Sequence, residues 1–443
     1  MEHFYIADMI EKAPKIKSLD DAYALLLRDD LRPVFNKINS QYLYWDKVKY
    51  NVPKGIDKEI FWSAVKIQRM AGSKIIKFGK YQFSFFITEH MLQKLHDFDL
   101  NLGGNLGTSN LIPAKSKDSF LVSSIMEEAI ASSQMEGAST TRRIAKDMLR
   151  KGMKPKDKSQ QMIGNNYQTI NHIIQHINDP FNIENILSIH RLISAHTMDN
   201  AKDEGNLRQS NDIVVMNCIN GEIAHTPPAK EEIELLLTDL CDFANNDDAY
   251  GFIHPIIKSI IVHFMLAFIH PFADGNGRTA RSLVYWYLVK NGYWLMQYLS
   301  ISRIIYRDKA SYEKAFTYTE NDGYDLSYFI QYNLKAMDNA FIELKEYLQR
   351  KINEADSMNL LHDINGINER QAQLLKILKD KPTTVFTTSE ISTRFGIDIK
   401  TARKDLQILV DKGFLEKRTP ARSHSATYIR TENFSSLINN SAK

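Results

Sequence analysis

The chain has 443 residues, of which 43% are hydrophobic and 25% are charged. This length exceeds one ordinary domain, and the composition is typical of a globular protein that buries large cores. A formal net charge of +3 excludes a strong overall attraction to nucleic acids or membranes. Two cysteines exclude a disulfide framework and a four-cysteine metal site.

The N-terminal sequence predicts no targeting segment, because it contains acidic residues and lacks the apolar core of a secretory signal. The most apolar stretches, 256–272 and 283–301, are interrupted by Lys, His and Asn. A membrane span needs about 20 nearly uncharged residues. We therefore expect buried helices at both stretches and a cytoplasmic protein that does not contact a membrane.

Three regions with different patterns follow one another along the chain. Residues 1–112 predict a helix-rich region that ends in a glycine-rich loop. Residues 113–355 predict an almost entirely helical segment, because apolar residues recur at intervals of three and four. Residues 360–443 predict short helices followed by two short strands. The predicted fold is therefore mainly α, with a small β-hairpin and a C-terminal wing.

The second region begins with a helix at about residues 119–137, for which Gly137 takes the usual glycine position beyond the C-terminus. Ser132 and Glu136 are four residues apart and share one face of this helix. A carboxylate in a last helical turn opposes the helix dipole, at a cost of about 0.3–1 kcal/mol. Such unfavourable choices tend to collect at functional sites, although a frayed surface glutamate remains the alternative.

A β-hairpin is predicted where a β-branched run and a second short apolar run flank Asn220-Gly221. Its strand residues are Ile213, Val214, Val215 and Met216 on one side and Ile223 and Ala224 on the other. An ordinary surface hairpin is the alternative to a functional one.

A phosphate site is predicted where a buried helix breaks at His270-Pro271, since the residue before proline is pushed out of the α region. The turn from Asp274 to Gly277 then leads into a new helix that carries Arg278 and Arg281. A glycine-rich turn that feeds a helix N-terminus presents amide N–H groups and the positive end of the helix dipole to an anion.

The side chains around this turn suit a nucleoside triphosphate. Arg278 and Arg281 are three residues apart, so two guanidinium groups could clamp successive phosphates. The carboxylate of Asp274 is a ligand of the kind that Mg²⁺ prefers. His270 is placed to act as a general base, with an ordinary pKa near 6.5. Each residue alone is more often structural, and their occurrence within twelve residues favours a site.

The sequence from His270 to Arg281, HPFADGNGRTAR, resembles the Fic family motif, and every defined position matches. The resemblance implies an enzyme that transfers AMP from Mg-ATP to a Ser, Thr or Tyr hydroxyl of a target protein. His270 would deprotonate the hydroxyl and Asp274 would hold Mg²⁺. The resemblance also implies a nucleotide site formed by Phe272, Gly275, Asn276, Gly277, Arg278 and Arg281, in which Asn276 and the two glycines form the anion hole.

Ser132 and Glu136-Gly137 resemble the inhibitory motif of Fic proteins whose inhibitory helix precedes the catalytic core. The resemblance implies that Glu136 pairs with Arg281 and keeps the γ-phosphate from its productive position. Some relatives use this glutamate to remove AMP, so the reverse reaction stays open. The hairpin resembles the family's flap, which holds the target segment by strand addition. The sequence also leaves open whether the chain forms a homodimer.

Residues 367–430 resemble a winged helix-turn-helix domain. From Lys400 to Arg422 there are seven Lys or Arg and three Asp or Glu, so the local net charge is 7 − 3 = +4. The candidate DNA-binding residues are Lys400, Arg403, Lys404 and Arg418. A solvated basic face and a protein-docking module are the alternatives, because a few basic residues give weak, salt-sensitive affinity.

Two further functions remain open at this point. One is transfer of another nucleotide or phosphate-bearing group, since the motif specifies the phosphate site more firmly than the base. The other is a DNA-binding regulator whose Fic domain only senses nucleotide. The intact His270 favours an enzyme, because a sensor needs no general base at that position.

Overall fold

The computed structural model describes residues 3–4, 10–103, 117–217, 221, 223–246, 249–362, 364–419 and 426–441. The chain divides into two compact units, Met1–Leu344 and Lys345–Lys443. The predicted boundary near residue 112 lies outside the described residues, and the first unit includes both the N-terminal region and the central helices. Helices dominate, as predicted for a mainly α fold.

The helices of the first unit follow in chain order. They are α1 Leu19–Leu26, α2 Arg32–Ser40, α3 Trp45–Val48, α4 Lys58–Met70, α5 Glu89–Phe98, α6 Lys117–Met135, α7 Arg142–Lys151, α8 Lys158–Gln175, α9 Ile183–Ser194, α10 Ile233–Asn245, α11 Pro255–Ile269, α12 Asn276–Lys290, α13 Ile301–Arg307, α14 Lys309–Asn321 and α15 Ser327–His362, which continues into the second unit. The strands of this unit are β1 His3–Phe4, β2 Lys74–Phe78, β3 Tyr81–Phe85, β4 Val215–Asn217 and β5 Ile223–His225.

Helices α11 and α12 form the centre of the first unit. Nearly every residue of α11 from 256 to 269 is buried, and α12 is buried along most of its length. A helix that is apolar on all sides must be covered on all sides. The turn between these two helices is therefore held by the surrounding helices, which gives its residues defined positions.

The N-terminal region supports the wall of the central helices. The ring of Tyr44 stacks on Tyr318 of α14 with centroids 4.1 Å apart, and Arg69 donates to the hydroxyl of Tyr328 of α15 at 2.9 Å. The antiparallel hairpin β2–β3 was not predicted from the sequence. It places the ring of Phe83 against the ring of Phe268 of α11, with centroids 5.3 Å apart. Residues 10–103 therefore pack against the helices that carry the candidate site and support them.

The second unit contains a helix-turn-helix and two paired strands after it, as predicted. Residues 420–425, which join these strands in the predicted wing, lie outside the described residues. Its elements are α16 Glu369–Asp380, β6 Val385–Thr387, α17 Thr388–Phe395, α18 Ile399–Asp411, β7 Leu415–Arg418, β8 Thr427–Arg430 and α19 Phe434–Ser441. The sheet has the order β6-β8-β7, so a third strand that the sequence analysis missed completes it. Ala402, Leu406 and Leu409 of α18 are buried in the core of this unit.

Within the ranges that the structure describes, no helix combines the length and the apolar composition needed to cross a bilayer.

Candidate active site

The turn between α11 and α12 is closed by Asn276. Its side-chain oxygen accepts from the backbone N–H of Phe272 at 3.0 Å, and its amide nitrogen donates to the carbonyl of Phe272 at 2.9 Å. Gly275 precedes α12 with φ of 85°, a conformation that favours glycine. The Asn276 side chain thus holds the turn, and the contact of Asn276 with an anion stays a prediction.

His190 of α9 braces the same turn, although the sequence analysis did not single it out. Its ring stacks on Phe272 with centroids 3.7 Å apart. Its Nδ1 accepts from the N–H of Gly205 at 3.1 Å, so Nε2 carries the proton and donates to the carbonyl of Asp274 at 2.9 Å. Burial lowers the pKa of His190 to about 4 and keeps the ring neutral. The only signal for this role in the sequence was the presence of a histidine on the apolar face of a helix.

His270 follows the last residue of α11 and has φ of 51°, which is uncommon for a residue other than glycine. Its Nδ1 lies 3.2 Å from the carbonyl of Ala267. Because a carbonyl only accepts, Nδ1 carries the proton in the neutral ring and Nε2 has the lone pair that a base needs. The residue is 3% exposed, yet it lines the central cavity of the unit.

The pKa of His270 differs from the ordinary value that the sequence analysis assumed. Burial, with a smaller contribution from the charge of His225, lowers it to about 3. The ring is therefore neutral throughout the physiological pH range. Arg208 donates from Nε to the carbonyl of His270 at 2.8 Å and so holds its backbone.

Glu136 and Arg281 form a buried ion pair, as the sequence analysis predicted. Arg281 Nη2 lies 2.7 Å from Glu136 Oε1, and the two side chains are 5% and 14% exposed. Arg281 also donates from Nε to the hydroxyl of Ser132 at 2.9 Å and from Nη2 to the carbonyl of Ser132 at 3.0 Å. Burial alone would lower the pKa of Arg281, but Glu136, together with Tyr312 and Glu128, more than offsets burial and raises the pKa.

The end of helix α6 brings this carboxylate to the N-terminus of α12. Helix α6 ends at Met135, and Glu136 lies in the turn that Gly137 completes with φ of 91°. A Cβ atom at position 277 would collide with Glu136 Oε1. Glu136 therefore sits directly over Gly277, where the helix dipole favours a negative charge.

Arg278 takes a different direction from Arg281. Its guanidinium is fully buried and donates to the carbonyl of Ile193 at 3.2 Å, and its Nη2 lies 3.8 Å from Asp274 Oδ1. Residues three apart on a helix differ by about 60° in direction, which allows the two side chains to reach different partners. In this structure Arg281 lines the cavity, while Arg278 supports the Asp274 side of the turn.

A cavity of about 100 Å³ lies beside the turn. Its lining includes Glu136, His270, Gly277 and Arg281, and one wall is formed by Tyr312 and other residues of α14. Sites for drug-sized ligands are usually about 300–1,000 Å³. The present cavity is smaller, and the Glu136 side chain occupies space beside the turn between α11 and α12.

Asp274 is the residue suited to Mg²⁺. Its side chain is 38% exposed, and Oδ1 accepts from the N–H of Gly275 at 2.6 Å. Among the residues that the structure describes, no group of three or more His, Cys, Asp or Glu could hold a metal ion. One carboxylate fits a magnesium ion that takes its other ligands from phosphates and water.

The predicted hairpin is formed by β4 and β5, with Val215 opposite His225 and Met216 opposite Ile223. Val215, Ala224 and His225 line the cavity, and Ile223 is 61% exposed. The prediction of Ile213 and Val214 as strand residues is wrong, since β4 begins at Val215. Ile213, Val214 and Met216 are half-buried, and the turn residues 218–220 and 222 lie outside the described residues. The hairpin is thus placed at the cavity mouth, and its role in docking a target stays a prediction.

His225 ties this hairpin to the central helices. Its Nδ1 lies 2.9 Å from Glu320 Oε1 of α14, and its Nε2 lies 2.8 Å from the carbonyl of Phe268 of α11. Both acceptors need a proton on the ring nitrogen that faces them, so the ring is an imidazolium. Burial opposes this charge, but Glu320 and the carbonyl of Phe268 together outweigh burial and raise the pKa of His225.

The attachment of the hairpin is therefore expected to depend on pH. Because the pKa is raised in the folded state, this contact is fully present below the ordinary value of 6.5 and is lost as pH rises through the raised pKa. NMR titration of the His225 ring should give an apparent pKa above 6.5. The Glu320→Gln variant should bring it below 6.5, since burial then dominates, and an unchanged titration would contradict the assignment.

Two family sequence models match parts of this chain. The sequence model of the Fic/DOC family matches residues 180–288, which include His190 and the whole turn from His270 to Arg281. The chain contains a Fic domain. A DeoR-like helix-turn-helix domain matches residues 370–419. Glu136 and its helix lie N-terminal to the segment that the Fic model matches.

Proteins named protein adenylyltransferase Fic are similar to part of this chain. The protein from Aedes aegypti is 32% identical over 124 residues, which cover 28% of this chain and 23% of that protein. The protein from Nematostella vectensis is 34% identical over 111 residues, which cover 25% of this chain and 23% of that protein. The chain therefore matches less than a quarter of the length of these relatives.

Among solved structures, a Fic family protein from Desulfovibrio desulfuricans is 19% identical to this chain. The alignment covers 77% of this chain and 95% of that one, with a TM-score of 0.47.

The DeoR-like domain presents the predicted basic residues at its surface. Lys400, Arg403 and Lys404 of α18 are exposed, and their spacing places them on one side of the helix. Arg418 is also exposed, but its Nε lies 3.0 Å from Glu416 Oε1 on the same strand. Arg418 is therefore partly neutralised, whereas the three residues of α18 form the candidate contact for phosphates.

Proposed function

We propose that this chain is an autoinhibited protein adenylyltransferase, which transfers AMP from Mg-ATP to a Ser, Thr or Tyr hydroxyl of a target protein. The ion pair between Glu136 and Arg281 carries this proposal, because it joins an acidic side chain to the phosphate-binding turn across 145 residues. The relatives named protein adenylyltransferase support AMP as the transferred group. The proposal includes a cytoplasmic location, where ATP is available.

In the proposed reaction, Nε2 of His270 accepts the proton of the target hydroxyl. The oxygen attacks the α-phosphorus of ATP, the bond to the β-phosphate oxygen breaks, and pyrophosphate leaves. The N-terminus of α12 stabilises the charge that develops on the phosphate oxygens. Asn276 and His190 hold the turn in place, so the donors do not reorganise during the reaction.

The proposal assigns Mg²⁺ to Asp274. A bound Mg²⁺ would neutralise negative charge on the phosphates. The Asp274 carboxylate is oriented by the N–H of Gly275 and by the nearby Arg278. Arg281 becomes available to the γ-phosphate only after its pair with Glu136 opens, so inhibition and substrate binding compete for the same guanidinium.

Position-specific labelling tests the reaction. The Glu136→Gly variant is incubated with Mg²⁺, cell lysate and ATP that is labelled either at the α- or at the γ-phosphate. We expect label in protein only from the α-phosphate, and no label with Glu136→Gly/His270→Ala. The chain itself is included among the acceptors, since self-modification would give the same pattern.

Three outcomes would replace the proposal. Label from the γ-phosphate would indicate phosphate transfer. Label from other nucleotides at higher rate than from ATP would indicate a different base. ATP binding without any transfer would favour a regulator whose Fic domain senses nucleotide.

A separate experiment tests the reverse reaction. Loss of label from premodified protein after addition of the wild-type chain would show that the chain also removes AMP.

We further propose that the DeoR-like domain binds DNA through α18, because its exposed basic residues lie on one side of the helix. Replacing Lys400, Arg403 and Lys404 with Ala should weaken binding by about 10- to 1,000-fold at low salt and reduce the salt slope by about one for each lost phosphate contact. Titration of labelled duplex DNA at several salt concentrations measures both. Arg418→Ala is the control and should have a smaller effect, because Glu416 already pairs with Arg418.

A further inference from the structure

A strongly basic segment lies between helices α6 and α8 in the chain. Residues 142–158, which form α7 and the connection to α8, contain eight Lys or Arg and two Asp, so their net charge is 8 − 2 = +6. The whole chain carries +3, so all other residues together carry 3 − 6 = −3. The positive charge of this protein is therefore concentrated in one short segment.

The packing of α7 leaves its charged side to a partner that binds through charge. Ala145 and Met148 are buried in a hydrophobic cluster that α7 shares with α6 and α8. The apolar side of α7 is therefore not available for insertion into a bilayer, which an amphipathic helix at a membrane surface requires. Ile144 and Met153 are exposed, but they are nine positions apart and do not build an apolar face of their own.

Some of the basic side chains already pair within the protein. Arg142 and Lys146 pair with Glu127 of α6. Lys158 pairs with Asp199 at 3.1 Å. The other five cations of the segment are exposed, and within the described ranges none of them takes part in an ion pair. They form the basic surface, which consists of Arg143, Arg150, Lys151, Lys154 and Lys156.

The basic surface is extended and keeps most of its charge. Arg143 and Arg150 are seven positions apart, so they lie on one side of α7, about 10 Å apart along its axis. Asp147 is exposed between them and compensates one of the five cations, which leaves 5 − 1 = +4. The other acidic residue of the segment, Asp157, caps α8 by accepting from the backbone N–H of Gln160 at 2.8 Å.

We propose that the basic surface binds the phosphodiester backbone of a nucleic acid without reading its sequence. A DNA duplex carries one negative charge per about 1.7 Å of its axis, so cations arranged along α7 neutralise several phosphates at once. Guanidinium groups such as those of Arg143 and Arg150 pair with phosphate oxygens in a bidentate geometry.

The second unit of the chain favours a nucleic acid over an acidic polypeptide as the partner. It contains the DeoR-like helix-turn-helix domain, and helix-turn-helix domains place a recognition helix in the major groove of DNA. The basic surface belongs to the first unit and therefore provides a contact other than the one proposed for α18. This binding does not depend on the proposed AMP transfer.

The experiment uses the full chain and measures binding of labelled DNA and RNA duplexes of mixed sequence by fluorescence anisotropy at several salt concentrations. The surface variant replaces three exposed cations of the basic surface: Arg143→Ala, Arg150→Ala and Lys154→Ala. The control variant removes the same charge from exposed positions of the N-terminal region: Lys47→Ala, Lys54→Ala and Lys58→Ala. Both are also made in a chain that has Ala at positions 400, 403 and 404, so that the contribution of α18 is removed.

We expect the surface variant to bind a duplex about 10- to 100-fold more weakly than wild type at low salt. The slope of log affinity against log salt concentration should fall by about one for each lost phosphate contact. The loss should be equal for duplexes of different sequence, because phosphate contacts carry no sequence information. The control variant should bind as wild type does, because salt screens charges that do not contact the duplex. A loss on DNA, on RNA or on both supports the proposal and identifies the source of the backbone.

Equal affinities of the surface variant and the control variant for both nucleic acids would overturn the proposal. A loss confined to a labelled poly-glutamate peptide would also overturn it, since the partner would then be an acidic polypeptide. A loss confined to vesicles that contain anionic lipid would instead indicate a membrane surface. None of these measurements needs ATP, so failure of the proposed AMP transfer would be visible separately.

Discussion

Glu136→Gly is expected to raise the rate of AMP transfer by about 5- to 150-fold, which corresponds to an inhibitory coupling of about 1–3 kcal/mol. In the wild type, Nη2 of Arg281 donates to Glu136 Oε1 at 2.7 Å. The substitution removes this acceptor, so the guanidinium becomes available to phosphate. ATP should also bind more tightly, since the carboxylate no longer repels the γ-phosphate. Incorporation of α-labelled ATP and calorimetric titration with Mg-ATP measure the two effects.

Glu127→Gln is the matched control for this prediction. Glu127 lies on the same helix α6, but its carboxylate pairs with Arg142 and Lys146. Its replacement should lower the free energy of unfolding and leave the transfer rate near that of wild type. Glu136→Gln keeps the side-chain size without the charge and should give an intermediate rate. If Glu127→Gln activates as strongly as Glu136→Gly, loosening of α6 is the cause and the ion pair is not.

His270→Ala, in the active Glu136→Gly background, is expected to lower the transfer rate by about 10²–10⁴-fold, the usual contribution of a general base. Binding of Mg-ATP should change little, because the neutral His270 ring is placed for the target hydroxyl and carries no charge for phosphate. Single-turnover rates and nucleotide titrations separate these effects. His90→Ala, which removes an exposed imidazole from α5, should leave both unchanged.

The pH dependence gives a second check on His270. Its pKa of about 3 in the folded protein means that the ring stays neutral as pH falls from 7 to 5. The rate in the Glu136→Gly variant should therefore show no fall in this range that depends on His270. A loss of activity with a midpoint near 6.5, absent when His270 is replaced, would show that the base has an ordinary pKa and is open to solvent.

Much of the fold and of the candidate site could be predicted from local sequence. Apolar periodicity identified the helices and Asn220-Gly221 identified the hairpin, because each of these patterns follows from helix or strand geometry alone. The turn from His270 to Arg281 was recognisable because its residues are adjacent in the chain. The pairing of Glu136 with Arg281 was expected only from a family resemblance, since nothing local joins residues 145 positions apart.

Other features depended on tertiary structure. The support of the turn by His190, the separate directions of Arg278 and Arg281, and the lowered pKa of His270 arise from side chains that distant helices bring together. The imidazolium of His225 requires Glu320 and Phe268, and β1 requires β4, which lies more than two hundred residues along the chain. The sequence by itself determined which chemical groups are present and which helices carry them. Tertiary packing decided their charge state and their partners, because burial and long-range contacts set both.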